Sequence, residues 1–447
     1  MISITLIVWC LLCSGLALAA FVRPVYALAL YIMTYFLSPP LWWWGDPIDE
    51  YRVNLFSALL LLVTSFRVPS PPLSGRYKAW FYVGCLMVAN MTFVHLVFGN
   101  AGEASYEAYI AELKFLLLTY LFVRVVRTTG DLQVVILAIV LGAGYLGYEC
   151  NINERGRIQA NRLEGVGAPG ATTANHFASL LVSILPLVTP LLLAGRIRHK
   201  LVAIIAAPLI LDVVLLCNSR GAFLAAIISV FVFILCAPKG LRGTAYRYLA
   251  AGLVVLFLLV GDTRIIDRFL TTFADSEERD HSAQSRIDFW MCGIEMLQDY
   301  PLGAGGNAFK KTHGHKYLDS SNPDQQARSL HNGFLQEATS WGIQGLFLRL
   351  LWFFCAIRMA YDARRQKMLK SSKFLFVTQL GILTGLAAFL GTAMFTSVFD
   401  AEWGFWLIAL AVCSALIYES ENNDNEASTP AAGEPLSYGG LPSTSSH

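Results

Sequence analysis

The sequence predicts an all-α, polytopic integral membrane protein of about 12 transmembrane helices, and three observations carry that prediction. Of 447 residues, 55% are hydrophobic and only 14% charged, with a mean hydropathy of +0.54. A soluble chain carries about 25% charged residues. Apolar stretches long enough to cross about 30 Å of hydrocarbon recur from one end of the chain to the other. Basic residues gather in alternate loops. A soluble enzyme, a nucleic-acid binder and a secreted disulfide scaffold all fit poorly.

The apolar stretches lie near 3–20, 24–41, 53–66, 77–98, 108–127, 132–149, 174–194, 200–217, 221–237, 246–262, 333–357, 373–397 and 402–418. The second and third are short or carry Pro39-Pro40, which leaves the count at 12 or 13. Residues 1–20 lack a basic segment ahead of the apolar run and read as a retained first span rather than a cleaved signal peptide. Seven of the nine cysteines sit inside or beside apolar runs, where a thiol behaves as a small hydrophobe. Their odd number and the lack of a second CxxC argue against zinc.

Charge assigns the sides. Clusters occur at Arg67, Arg76 and Lys78; at Arg124 and Arg127; at Arg196, Arg198 and Lys200; at Lys239, Arg242 and Arg247; and from Arg358 to Lys373. The positive-inside rule makes these loops cytoplasmic. The loops between them, roughly 98–108, 150–173, 218–220, 263–332 and 398–401, face outward. The chain then divides into a bundle over 1–262, a large outward loop over 263–332, C-terminal membrane helices over 333–418, and an acidic cytoplasmic tail over 419–447. That tail holds Glu419, Glu421, Asp424, Glu426 and Glu434 without Lys or Arg, a composition that favours disorder.

A loop as long as 263–332 usually carries function. From Ser285 to Asp299, Ile287, Trp290, Ile294 and Leu297 recur at helical spacing and predict an amphipathic helix on the membrane face. A glycine-rich turn, Pro301 to Gly306, ends it. Two arginines follow serines at helix starts on the outward side: Arg220 after Ser219, and Arg286 after Ser285. A capped helix N-terminus beside a guanidinium suits a phosphate or pyrophosphate. The plainer explanation of either arginine is snorkelling or an ion pair, with Asp288 in reach of Arg286. Arg155, Arg157 and Arg162 are further outward cations, and Arg162 is favoured because Gly165, Gly167 and Gly170 follow it. His331 is expected in the first turn of a membrane helix, where the positive helix end favours the neutral imidazole that can act as a base. His313 and His315 could compete for that role, but their His-Gly-His context reads as a mobile loop or adventitious metal binding.

The run from His331 to Gly345 resembles the signature of bacterial O-antigen ligases: His, then Asn, Ser or Gln, nine variable residues, Gly, two variable residues, then Gly, Thr or Tyr. His331, Asn332, Gly342 and Gly345 satisfy every fixed position. Ser219-Arg220-Gly221-Ala222 and Arg286-Ile287-Asp288-Phe289-Trp290 resemble other arginine motifs of the ligase/polymerase superfamily, and Pro301 to Phe309 its glycine-rich turn. The resemblance covers about 200–350 closely and the rest in topology. It implies a GT-C-like glycosyltransferase of the bacterial inner membrane with a periplasmic active site and neither metal nor cofactor. The implied donor is an undecaprenyl-pyrophosphate-linked O-antigen, and the acceptor a sugar hydroxyl of lipid A–core oligosaccharide. Transferred to these positions, Arg220 and Arg286, helped by Arg162, neutralise the pyrophosphate and His331 deprotonates the acceptor. Asn332 positions a sugar or orients His331, and Asn307 in the glycine-rich turn joins the substrate contacts. An O-antigen polymerase or a protein O-oligosaccharyltransferase would use the same donor. A lipid-linked-glycan transporter should instead show repeated halves with polar features near the midplane; no such repeat is apparent.

Overall fold

A computed structural model describes residues 3–159, 162–168, 170–171, 173–238, 240–243, 246–247, 250, 277–318, 329–365 and 373–427. Its architecture is all-α and polytopic, as expected. Seven described helices are long and apolar enough to span a membrane, and four more are apolar but shorter. The expected span at 246–262 falls mostly outside the described residues.

The first six helices are α1 (Ile4–Ala20), α2 (Val25–Phe36), α3 (Val53–Ser65), α4 (Gly75–Val97), α5 (Glu103–Val125) and α6 (Thr129–Asn151). The stretch predicted as one span over 24–41 is broken. Proline cannot continue the hydrogen-bond ladder, so α2 ends at Phe36 and short 3-10 turns follow at Pro39–Leu41 and Asp46–Ile48. The outward loop at 150–173 holds an antiparallel pair, β1 (Arg157–Gln159) and β2 (Arg162–Glu164). Next come α7 (Ala174–Ile184) and α8 (Val188–Ala194), separated by a 3-10 turn at Pro186, then α9 (Ile197–Leu216) and α10 (Arg220–Cys236). Beyond lie α11 (Glu277–Asp299), α12 (Gly333–Arg365), α13 (Lys373–Ala393) and α14 (Glu402–Ala427). The expected tail at 419 therefore starts too early, because α14 continues to Ala427.

Burial runs inward to α13 and the membrane part of α14, which are buried on nearly all sides. They pack on α5, α7, α8, α10 and α12. The outer helices expose large apolar side chains instead, such as Leu55, Phe56, Leu59 and Val63 on α3. Such a surface suits hydrocarbon, where the backbone is satisfied within each helix and apolar side chains face lipid.

The basic loops meet at one end. Arg23 pairs with Asp131 at 2.5 Å, Arg76 and Arg358 share Asp362, and Arg124 donates to the carbonyls of Ser65 and Val68 at 2.8 and 3.0 Å. Asp131 also completes a capping box with Thr128 at the start of α6. Because the helices alternate in direction, the loop with β1 and β2, the starts of α7, α10, α12 and α14, and α11 fall at the other end.

Candidate active site

At that other end, several elements converge. The Cys217 carbonyl closing α9 accepts a long hydrogen bond from Arg162 Nε on β2 at 3.4 Å, while the other arm of that guanidinium donates to Asn175 in the first turn of α7. Three residues after Cys217, Arg220 opens α10, whose first N–H groups are capped by the buried Ser219 side chain at 3.4 Å to Ala222 N. Gly221 lies against Phe395, where an added Cβ would stand 2.9 Å from the Phe395 Cβ. The His176 ring, on α7, lies 3.2 Å from the Ser397 carbonyl in the loop between α13 and α14.

Arg162 and Arg220 lie near enough to Arg286 for their charges to act on it. Burial pushes the Arg286 guanidinium below the usual arginine range, and the charges of Arg162 and Arg220 push it further in the same direction. The ion pairs formed among the described residues engage Arg23, Arg76, Lys311, Arg349 and Arg358, and none of the three. The anticipated pairing of Arg286 with Asp288 is not among them. Guanidinium groups that lie near one another without a paired carboxylate among the described residues can bind an anion.

The position of Arg286 differs from expectation. Its helix starts at Glu277, so Arg286 lies inside α11 and not beside a helix N-terminus. The polar stretch before Ser285 lacks apolar periodicity, which hid the earlier start. One turn after Arg286, buried Phe289 meets His331 edge-on with ring centroids 6.3 Å apart. Residues three apart share a helix face, so Arg286 lies on the face of α11 that carries Phe289.

His331 is likewise not in the first turn of its helix. It precedes α12 with φ +52°, and Asn332 takes the cap position, its Oδ1 accepting from Leu335 N at 3.1 Å. The side-chain oxygen of Asn332 is thus used to start α12.

The glycines of the motif have structural causes. At Gly342 (φ +84°) the helical ladder of α12 breaks. The glycine-rich turn fills the break: Ala304 N and Gly305 N donate to the carbonyls of Thr339 and Ser340 at 3.0 Å each, and Ile343 N donates to Pro301 at 3.1 Å. Gly303 (φ +93°) backs directly onto this pivot, where a Cβ would come within 2.5 Å of Gly342 N. At Gly345 the missing side chain leaves room for Asn90 of α4, which donates to the Trp341 carbonyl at 2.9 Å.

Asn307 (φ +57°), just past the turn, lines a narrow polar cleft with Gln336, Glu337, Ser340, Ser397 and Asp400. Gly333, at the start of α12, lines the same cleft, which adjoins the His331–Asn332 segment. Lys310, Gln336 and Ser340 line its continuation. Of these, only Asn307 was anticipated from the sequence. A larger apolar groove between α7, α8, α9, α10 and α13 runs to Arg242 and Tyr246, away from these groups. The other outward cations are placed differently. Arg155 donates to the Val166 carbonyl at 3.1 Å and lies 5.3 Å from the Trp42 ring, fastening the loop to the first helices. Arg157 is exposed on β1. His313 packs on Tyr300 with centroids 4.8 Å apart, so this part of the loop is held rather than loose.

A profile of the O-antigen ligase family matches residues 202–350. The match covers about a third of the chain, and over those residues the chain is similar to that family. The matched region runs from α9 into α12 and contains Arg220, Arg286, Asn307, His331 and the Gly303–Gly342 pivot, while Arg162 lies outside it. The similarity supports a function of the ligase/polymerase type, and the apolar helices a multi-pass membrane protein. A search among curated proteins finds no match.

Proposed function

We propose that the chain is an O-antigen ligase of the bacterial inner membrane, a metal-independent, inverting glycosyltransferase working at the periplasmic face. It transfers O-antigen polysaccharide from undecaprenyl pyrophosphate to a sugar hydroxyl of lipid A–core oligosaccharide. The observation that carries this reading is that the charges of Arg162 and Arg220 act on Arg286 while His331 packs on Phe289, one turn after Arg286, at the end opposite the basic loops.

The chemistry follows from the residues. The acceptor hydroxyl gives its proton to the His331 imidazole while its oxygen bonds to the anomeric carbon. The bond from that carbon to the pyrophosphate oxygen breaks on the opposite face, which inverts the centre. Negative charge that builds on the departing pyrophosphate meets guanidinium groups already in place, so little reorganisation is needed as it leaves. The complete match from His331 to Gly345 favours the ligase branch over the polymerase and protein-glycosylating ones.

Deletion in the host tests the reading, with surface glycans examined by gel and mass spectrometry. Loss of a ligase leaves long lipid-linked polymer and an unsubstituted core. A core capped with a single repeat would identify a polymerase, and unchanged lipopolysaccharide would sink both.

A further inference from the structure

The cleft beside the arginine cluster carries a cation that the proposed chemistry does not use. Lys310 is exposed at its mouth, and Asn307, Gln336 and Ser340 line the same wall. Its charge reaches Asp400 in the loop between α13 and α14, and His176 at the start of α7. Lys310 therefore stands at the rim within electrostatic reach of both. It is held there by a rigid turn: Phe309 and Leu318 are buried, Cys292 Sγ lies 3.0 Å from the Tyr317 carbonyl, and Tyr317 donates to Asp299 at 2.6 Å. Its neighbour Lys311 is already neutralised by Glu107. Lys310 is in no ion pair among the described residues.

The cleft and the arginine cluster lie on two sides of one segment. Asn175 holds Arg162, while the ring of the next residue, His176, lies against the Ser397 carbonyl and feels the charge of Lys310. His331 stands against α11 on the arginine side, and two residues later Gly333 lines the cleft. Amides, hydroxyls and carboxylates grouped around an opening are the partners that sugar hydroxyls use, and a lysine at the rim is a point charge suited to an anionic substituent.

We propose that this cleft is the acceptor subsite and that Lys310 selects an acceptor sugar bearing an anionic group, phosphate or carboxylate, close to the hydroxyl that reacts. The proposal rests on the ligase reading and adds to it which substrate sits on which side of His331. The arginine cluster takes the donor's pyrophosphate and the cleft takes the acceptor's charged sugar.

The test uses the full chain in lipid nanodiscs, with purified lipid A–core as acceptor and its dephosphorylated form as a second acceptor. Transfer by the wild type reports on the ligase reading alone. Against that baseline, Lys310→Glu should raise the acceptor KM about tenfold, the scale of one charge-assisted contact, and leave the donor KM unmoved. Lys310→Arg should restore most of it, and Lys311→Ala should change the acceptor KM by less than about twofold because Glu107 already occupies that charge. Wild type with dephosphorylated acceptor should show the same loss as Lys310→Glu if the anion is phosphate. Retention of full affinity there, with the Lys310→Glu defect intact, would identify a carboxylate. An unchanged acceptor KM in Lys310→Glu, or an equal defect in Lys311→Ala, overturns the proposal while wild-type transfer still stands.

Discussion

Two groups of arginines in this molecule have opposite surroundings. Arg349, in the membrane part of α12, is completely buried. It is clasped by Glu112 of α5 and by Glu337, the latter at 2.9 Å, and lies 5.2 Å from the Phe405 ring. Trp341 Nε1 adds a hydrogen bond to Glu112 at 2.7 Å. Arg162, Arg220 and Arg286 are partly or fully exposed and repel one another without a paired carboxylate among the described residues. A guanidinium whose charge is met inside the protein holds helices together. One whose charge is left open is arranged to meet something that arrives.

The contrast can be broken at either end. The largest effects are expected at the open end: His331→Gln should reduce transfer by about 10²- to 10⁴-fold, the usual contribution of a general base. Near-normal transfer by purified His331→Gln would remove the base assignment. Arg220→Ala and Arg286→Ala should each lower turnover by about 10²- to 10³-fold, as for loss of one group that stabilises a leaving charge. Their thermal stability should be close to that of the wild type.

The closed end should answer in stability instead. Arg349→Met leaves two carboxylates buried without their cation and is expected to cost about 3–5 kcal/mol. The triple variant Glu112→Gln, Glu337→Gln, Arg349→Met should regain much of that loss, measured as Tm in detergent. A triple variant as unstable as the single one would show that the network does more than balance charge. Gly303→Ala should cost about 1–3 kcal/mol, because a side chain at φ +93° is strained and its Cβ presses on Gly342 N.

The smallest effect is a pH dependence. Burial holds His313 below its ordinary value of 6.5, helped by the charges of Lys316 and His315. Below that value the unfolded chain binds the proton more readily, so this contribution to stability is present above about pH 6.5 and fades as pH falls. His313→Gln should flatten the acid side of the Tm–pH curve slightly, and an unaltered curve would show that the ring does not titrate with folding.

Much of this was legible in the sequence, and the limits have physical causes. Apolar length marked the spans, and alternating basic loops marked the shared end later tied together by Asp131 and Asp362. Arg220 could be placed because Ser219 and the apolar run after it form a local start signal. Arg286 was misplaced because helix α11 begins in polar sequence with no apolar stripe. Glu112 and Arg349 are separated by 237 positions, so nothing local relates them. The motif spacing from His331 to Gly342 was visible as a pattern. Its reason, a helix opened to admit the glycine-rich turn, depends on backbone partners from another segment. Lys310 was passed over because its role comes from the cleft it borders.

The central claim is that the three arginines, which have no paired carboxylate among the described residues, hold the donor's pyrophosphate. Its most direct measurement is equilibrium binding of an undecaprenyl-pyrophosphate donor to the full chain in nanodiscs, for wild type, Arg220→Ala and Arg286→Ala. The arrangement predicts that at least one of the two variants binds about tenfold or more weakly, the scale of one lost charge-assisted contact. Wild-type affinity in both variants would contradict it.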